Sequence, residues 1–343
     1  MNILYGVSGD GYGHSSRALV IGDFLRKQGH TVKIVTYGRA YKVLKGKFDV
    51  FRVSGMFLFY IRGILNKKKT FDTNAKNMAK NVYKWRRFYK LMKEFKPNLC
   101  ITDFEPIVSF LAFWHRIPLL SIDNQHRITH LDVEVPKKYY KEYLLTRAVV
   151  NSLVPIANHF IIVSFSKPRI KNKNATAVTP IIRPEVKSLK PKFGDKVLVY
   201  LTRKDSCILE ILKGLNEKFL VYGYNENKVK GNITFKKKES FLADLENCRC
   251  VIGNSGFTLI SEAIYLKKPY FAIPLNGQFE QILNALFLKK SGFGDYADKP
   301  EEKDFVYFLY NLKKYMENLK KYNFDSENLF TVLKKEVAKF WRK

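Results

Sequence analysis

A histidine set just behind a glycine-rich turn is the residue of this chain best suited to moving a proton. The apolar run Met1–Val7 is followed by Ser8-Gly9-Asp10-Gly11-Tyr12-Gly13 and then His14. An ordinary imidazole titrates near pH 6.5 and can take a proton from a hydroxyl at neutral pH. At a helix start a histidine also serves as a plain surface or capping residue, and the spacing leaves both roles open. Asp103 and Glu105 close the apolar run Pro97–Thr102. A carboxylate at that place can orient the His14 ring and stabilise its protonated form. Pro106 directly behind makes one of the two acids an equally good helix N-cap.

The second place for chemistry runs from Cys248 to Ala285. Asn254, Ser255 and Gly256 form a small polar turn between the short apolar run Cys250–Gly253 and a helix that opens near Thr258. Such a turn aims free N–H groups and a partial positive charge at whatever lies above it, which suits a diphosphate. Glu262, in the first turns of that helix, can accept from a ribose diol. Thr202 and Arg203 end the strand Lys196–Leu201, where a phosphate can sit. Pro269 stops the helix, Tyr270–Ile273 is a strand closed by Pro274, and the loop Leu275–Phe279 delivers Glu280, Gln281 and Asn284. Ordinary βαβ units carry similar turns, so spacing alone does not separate a ligand site from a solvated helix.

These residues need scaffolds. Strand, glycine turn, helix and strand open the chain: the helix after His14 runs to about Gly29, with Ala18, Leu19, Ile21, Phe24 and Leu25 on one face, and His30–Thr36 follows as a strand. The Gly9-x-Gly11-x-Gly13 spacing departs from the dinucleotide fingerprint. No acid ends the second strand, where Tyr37 and Gly38 stand, which excludes NAD. Ile117–Ile122 is a further strand, ending in Asp123, Asn124, Gln125, His126 and Arg127. Lys171–Asp195 is polar and carries Pro180, Pro184 and Pro191, which places a hinge near Ile182. The βα rhythm on both sides of it predicts an α/β protein of two Rossmann-like, doubly wound domains, 1–182 and 183–343, facing each other across a cleft.

The stretch Cys248–Ala285 resembles the donor-sugar signature of the GT-B glycosyltransferases, closest to the family 28 type that adds N-acetylglucosamine to lipid-linked muramyl-peptide. Plant and animal UDP-glycosyltransferases carry a related signature. The likeness runs end to end: small turn, Ser261-Glu262, a proline after the helix, a strand ending in proline, then Glu280-Gln281 and Asn284-Ala285. The histidine common in the turn of plant-type members is absent, and the loop before Glu280 is one residue short. The resemblance implies a second domain that binds a UDP-linked sugar. There Glu262 holds the ribose, Glu280 and Gln281 the sugar, Asn254, Ser255 and Gly256 the diphosphate, and the backbone of Phe235 and Lys236 the base. Gly13-His14 with Arg17 resembles the turn of an uncharacterised archaeal and bacterial branch. On that likeness His14 and Asp103 form the catalytic pair, and Gly13, Arg17, Glu105, Asn124, Gln125 and His126 stand on the acceptor side. The resemblance also implies a last helix, about 327–343, crossing back onto the first domain. The implied reaction is an inverting, metal-independent transfer to a hydroxyl, with the nucleotide sugar as co-substrate and no cofactor.

Composition narrows the setting. The 343 residues are 46% hydrophobic, enough for two cores, and carry a formal charge of +30. That charge implies an anionic partner, or a lysine-rich usage with no functional meaning. The apolar segment Gly55–Leu65 is too short to span a bilayer. Together with Lys67, Lys68 and Lys69, and with the basic helix Ala75–Phe95, it reads either as core packing or as a patch that docks on acidic headgroups. Cys100, Cys207, Cys248 and Cys250 lack zinc spacing and read as reduced thiols, so a cytoplasmic protein is expected, peripheral on the inner face of the membrane if the patch docks. Two rivals stand beside the transferase. A nucleotide-sugar 2-epimerase would share the fold and donor site but need further acids and no acceptor. A nucleic-acid binder is suggested by charge alone, with no motif in support.

Overall fold

The computed structural model describes residues 1–9, 13–57, 60–61, 64–65, 67–83, 85–325 and 328–341, with 60, 61, 64, 65 and 67 described through their backbone alone. Asp10, Gly11 and Tyr12 of the glycine turn, and the side chains of the apolar loop beyond Phe57, thus lie outside the described residues. The chain divides into two compact units, Met1–Ile181 with Ser326–Lys343, and Ile182–Asp325.

Unit 1 carries β1 (Asn2–Val7), β2 (Thr31–Thr36), β3 (Asp49–Arg52), β4 (Leu99–Asp103), β5 (Leu119–Asp123), β6 (His159–Val163) and β7 (Ala175–Val178). They form one seven-stranded sheet in the order β3-β2-β1-β4-β5-β6-β7, and every pair is parallel. Sheets of this kind are covered on both faces, so their strands read as unbroken apolar runs rather than alternating ones. All five residues of β4 and of β5 are buried accordingly. The helices used below are α1 (Gly13–Lys27), α2 (Lys67–Tyr83), α3 (Trp85–Phe95), α4 (Pro106–Trp114) and, at the chain's end, Asn328–Trp341. This last helix buries Leu329, Leu333 and Val337, sets Phe330 against Phe24 at 4.9 Å and Trp341 against His30 at 4.7 Å, and lies over β6 and β7.

Unit 2 repeats the plan. Its strands are β8 (Lys196–Tyr200), β9 (Lys218–Tyr222), β10 (Lys228–Lys230), β11 (Ile233–Phe235), β12 (Cys250–Asn254), β13 (Tyr270–Ile273) and β14 (Gly294–Tyr296), in the order β10-β11-β9-β8-β12-β13-β14. Only the edge strand β10 runs antiparallel among them. In each unit the strand order reverses once, between β1 and β4 and between β8 and β12. Loops leaving the carboxyl ends of those strands diverge to opposite sides and open a crevice, which is where ligands sit in sheets of this type. His14 and Asp103 follow one such pair, and Thr202 and Asn254–Gly256 the other. Close approach at these ends demands glycine. A Cβ on Gly253 would stand 2.8 Å from both the Tyr200 carbonyl and the Tyr270 hydroxyl, and one on Gly9 would stand 2.3 Å from the Tyr37 carbonyl.

Of the two readings of the helix expected over 75–95, core packing holds only for its second half. That reading places the apolar stripe of the first half, Met78, Ala79 and Val82, in a core. Instead Met78 and Val82 are exposed, and only the later residues Phe88, Leu91 and Met92 are buried. The inward face of α2 is polar: Asn74, Asn77 and Asn81 recur at helical spacing and bond the backbone of residues 54–57. A periodic count of apolar residues cannot anticipate a helix held by amides.

A second unforeseen feature is Lys268, fully buried in the turn that precedes β13 in unit 2. Its ammonium donates to the carbonyls of Lys192, Glu246 and Cys248 and lies 4.3 Å from the Phe193 ring centroid. It ties the polar segment before β8 onto the sheet. Lys268→Met strands three buried carbonyls, so we expect a loss of about 2–4 kcal/mol in urea unfolding.

Candidate active site

In unit 1 the β1 and β4 ends are neighbours, with Val7 in register with Asp103. Phe104 takes a left-handed φ of 54°, which turns the chain sharply after Asp103. Asp103 is fully buried and accepts from three donors. His14 Nδ1 lies 2.7 Å from Oδ1, Arg17 Nη2 2.6 Å from Oδ1, and Arg17 Nε 2.7 Å from Oδ2. Burial by itself would push this carboxyl up. The Arg17 guanidinium, then His14, outweigh that and hold it below the usual carboxylate range. The His14 ring is thereby fixed by one nitrogen. Its side chain is 13% exposed, and Nε2 has no protein partner among the described residues. This is a histidine oriented by a carboxylate, with its second nitrogen left for a substrate.

Several acceptor-side expectations change. Arg17 points inward, 8% exposed, because one helical turn places it over Asp103; it belongs to the His14–Asp103 cluster rather than to an exposed surface. Glu105 is the N-cap of α4, accepting from Ile107 N at 3.1 Å and Val108 N at 2.8 Å with no exposed surface. His126 is buried and paired with Asp123 at 2.7 Å. Burial pushes the Asp123 carboxyl up, and the His126 pair outweighs it and holds that carboxyl far down. Asn124 is buried too, its carbonyl accepting from Arg127, and Gln125 turns its Oε1 inward. The cluster that closes β5 is therefore internal packing. Gly13 opens α1 beside His14.

In unit 2, Tyr200 is in register with Gly253. Asn254 is a brace: its Oδ1 accepts from Thr202 N at 2.8 Å and Oγ1 at 2.9 Å, and its Nδ2 donates to the Ile273 carbonyl at 3.1 Å. Its side chain is thus committed to joining three strand ends. Ser255 is fully buried, its Oγ has no partner among the described residues, and its carbonyl is held by Asn284 Nδ2 at 2.7 Å. Gly256 is the N-cap of the helix Phe257–Tyr265, and its end carries no side-chain cap. A buried hydroxyl at a helix N-terminus suits an anion. Arg203 is exposed at the end of β8 and makes no ion pair among the described residues.

Glu262 lies on the same helix, 3% exposed, and is gripped by Arg183 through Nε at 2.7 Å and Nη2 at 3.0 Å. Burial raises its carboxyl, and Arg183 offsets part of that. A carboxylate has about four lone-pair sites, so it can serve Arg183 and a diol together. Sequence reasoning missed Arg183, which sits in the run read as a hinge; no spacing rule links residue 183 to 262. Gln281 is committed locally, accepting from Leu275 N at 3.0 Å and donating to Gln278 at 2.8 Å, while Glu280 is half-buried in the first turn of its helix. Phe235 is part of the core, and the Lys236 N–H is bonded to the Val221 carbonyl at 2.9 Å, so that amide is closed to a base.

Two Rossmann-like units with a carboxylate-oriented histidine in one and an uncapped helix over a buried acid in the other define a GT-B glycosyltransferase. A family model for glycosyl transferase family 1 matches residues 1–313, and the chain belongs to that family. An uncharacterized glycosyltransferase of Methanosarcina acetivorans is 23% identical over 339 residues, covering 88% of this chain and 87% of that protein. A Clostridium botulinum UDP-N-acetylglucosamine–N-acetylmuramyl-(pentapeptide) pyrophosphoryl-undecaprenol N-acetylglucosamine transferase is 33% identical over 122 residues, 32% of this chain and 34% of that one. Among solved structures, the calicheamicin glycosyltransferase CalG4 superposes with a TM-score of 0.69 at 13% identity over 100% of this chain and 99% of its own.

The Glu105 cap gives a test of this geometry. Burial pushes its carboxyl up to about 7, against 4.5 for a free glutamate, with the two backbone N–H groups opposing. The folded state then holds a proton that the unfolded state has lost between those values. Stability from this group is full below pH 4.5 and falls as pH rises through 7. Glu105→Gln should remove that decline, read as the difference between the two urea-unfolding curves at pH 5 and pH 7.5.

Proposed function

We propose that this enzyme transfers a sugar from a UDP-linked donor to an acceptor hydroxyl, with inversion and without a metal or other cofactor. The observation that carries the reading is the His14–Asp103 pair with Nε2 left open. His14 Nε2 takes the proton of the acceptor hydroxyl as its oxygen attacks the anomeric carbon. The new C–O bond forms on the face opposite the diphosphate, the old bond breaks, and its electrons pass to the departing phosphate oxygen. Asp103 stabilises the imidazolium that results. In unit 2 the amides behind Gly256, the Ser255 hydroxyl and the Arg203 cation supply positive potential for the leaving diphosphate, and Glu262 holds the ribose.

The acceptor is read as a glycan carried on a lipid. Support comes from an exposed aromatic surface on unit 1. Trp85 and Tyr89 on α3 are 45% and 58% exposed, Phe113 and Trp114 on α4 are 68% and 73% exposed, and the two tryptophan rings lie 6.4 Å apart. Arg86, Lys90 and Lys93 are exposed on the same helix α3. Aromatics dipping between headgroups, with cations on anionic lipid, describe a peripheral protein on the inner face of the membrane. Among the described residues no helix is long and apolar enough to cross one.

Calorimetry in EDTA tests the donor side. UDP should bind the wild type, and Glu262→Ala should weaken it by about 1–3 kcal/mol. His14→Ala should keep UDP affinity and lower kcat by about 10²–10⁴-fold; equal losses in both would assign His14 to the donor instead. Trp85→Ser with Trp114→Ser should reduce co-sedimentation with phosphatidylglycerol vesicles, while phosphatidylcholine vesicles bind neither protein.

A further inference from the structure

Unit 1 contains a cavity of about 550 Å³ that no step above uses. It lies at the carboxyl ends of β2 and β3 and is walled by Tyr37, Phe51, Phe57 and three cations, Arg52, Lys80 and Arg87. No acid is among its lining residues. Among the described residues none of the three cations has an ion-pair partner. Two are steered by rings instead: the Arg52 guanidinium lies 4.9 Å from the Tyr41 centroid, and that of Arg87 lies 5.0 Å from the Phe51 centroid. Arginine stacked on a ring keeps its edge N–H donors free.

The wall is stiff. Asn81 bonds both the N–H and the carbonyl of Ser54, at 3.1 and 2.6 Å; Asn74 does the same for Phe57, at 2.9 and 3.0 Å; Asn77 donates to the Gly55 carbonyl at 2.8 Å. The Asn74 and Asn81 amides are committed to holding the segment, and the charged groups facing the space are all cations. The cavity also adjoins the catalytic turn. Tyr37, in its wall, sets its hydroxyl 3.3 Å from Ser8 Oγ, and Arg39 N donates to the Gly9 carbonyl at 3.1 Å. Ser8 and Gly9 lie on the stretch that leads to His14.

We propose that this cavity is an acceptor subsite for a phosphate ester or diphosphate, so that the acceptor is a phosphorylated molecule whose anionic group docks against Arg52, Lys80 and Arg87. The inference rests on reading unit 1 as the acceptor side. Three uncompensated cations oversupply a single carboxylate and match the charge of a phosphate or diphosphate, and guanidinium forks suit its oxygens. The aromatic walls fit the less polar part that carries it.

The test is titration of inorganic pyrophosphate into the wild type and into Arg52→Gln/Arg87→Gln, each free and with saturating UDP, at constant ionic strength. Both arginines are solvent-exposed, so the variant should melt with the wild type; Lys80→Gln alone provides a second, milder variant. The expected result is at least a tenfold loss of pyrophosphate affinity in the double variant, a smaller loss in Lys80→Gln, and unchanged UDP binding. Equal pyrophosphate affinity in wild type and double variant overturns the proposal, whatever UDP does. Failure of UDP to bind any of the proteins would instead count against the donor reading and leave the pyrophosphate comparison standing. A parallel arm uses phosphatidylglycerol vesicles. Vesicle binding equal in wild type and variant supports a substrate phosphate, whereas vesicle binding lost in the variant with no pyrophosphate binding at all makes the site one for a bilayer headgroup and overturns it.

Discussion

The side-by-side parallel pairing of β1 with β4, and of β8 with β12, is the constraint on which both halves of the chemistry depend. These pairs are where the strand order turns back on itself in each sheet. Loops leaving them must part, and the space they leave is floored by strand ends and helix starts. Val7 beside Asp103 brings a residue near the start of the chain within hydrogen-bond reach of a carboxylate almost ninety positions on. Tyr200 beside Gly253 does the same for Thr202 and Asn254. The glycine at 253 is a condition of that pairing, because any side chain would strike a carbonyl and a hydroxyl together.

Charge is handled differently inside and outside. Within unit 1 the buried carboxylates Asp103 and Asp123 are held down by Arg17 with His14 and by His126, whereas Glu105, which accepts only from two amides of the helix it caps, is pushed up by burial. Compensation keeps Asp103 ionised where desolvation alone would neutralise it, and an ionised partner is what a protonated His14 needs. Arg17 shares that same carboxylate, which makes the cluster a three-residue assembly. The surface is left strongly cationic, and part of that excess is gathered where the amide ladder of α2 holds the wall of the cavity.

The amide ladder also shows how periodicity misleads. Met78 and Val82 follow a helical repeat, yet they stay in solvent while Asn74, Asn77 and Asn81 face inward. The hydrophobic repeat expected one helix over 75–95, where the structure has α2 from Lys67 and α3 from Trp85, and it misassigned the inward face of α2, because the segment that face packs on, residues 54–57, offers backbone groups to be bonded. An irregular stretch beside a helix must satisfy its amides somewhere.

The residue order alone determined the α/β class, the division near Ile182, the glycosyltransferase likeness of Cys248–Ala285, and the pairing of His14 with Asp103. Each follows from local patterns: apolar runs, small turns, and chemistry-bearing residues placed at strand ends. Only the tertiary structure decided which polar residues are free. It turned Arg17, Glu105, Asn124 and His126 inward, made Asn254 a brace, and gave Glu262 an arginine from the hinge, while the final helix joins unit 1 as the family likeness implied. The reason is physical. A buried polar group must find a partner, and the partner is chosen by proximity in space, which a strand register or a chain crossing creates between positions far apart in the sequence.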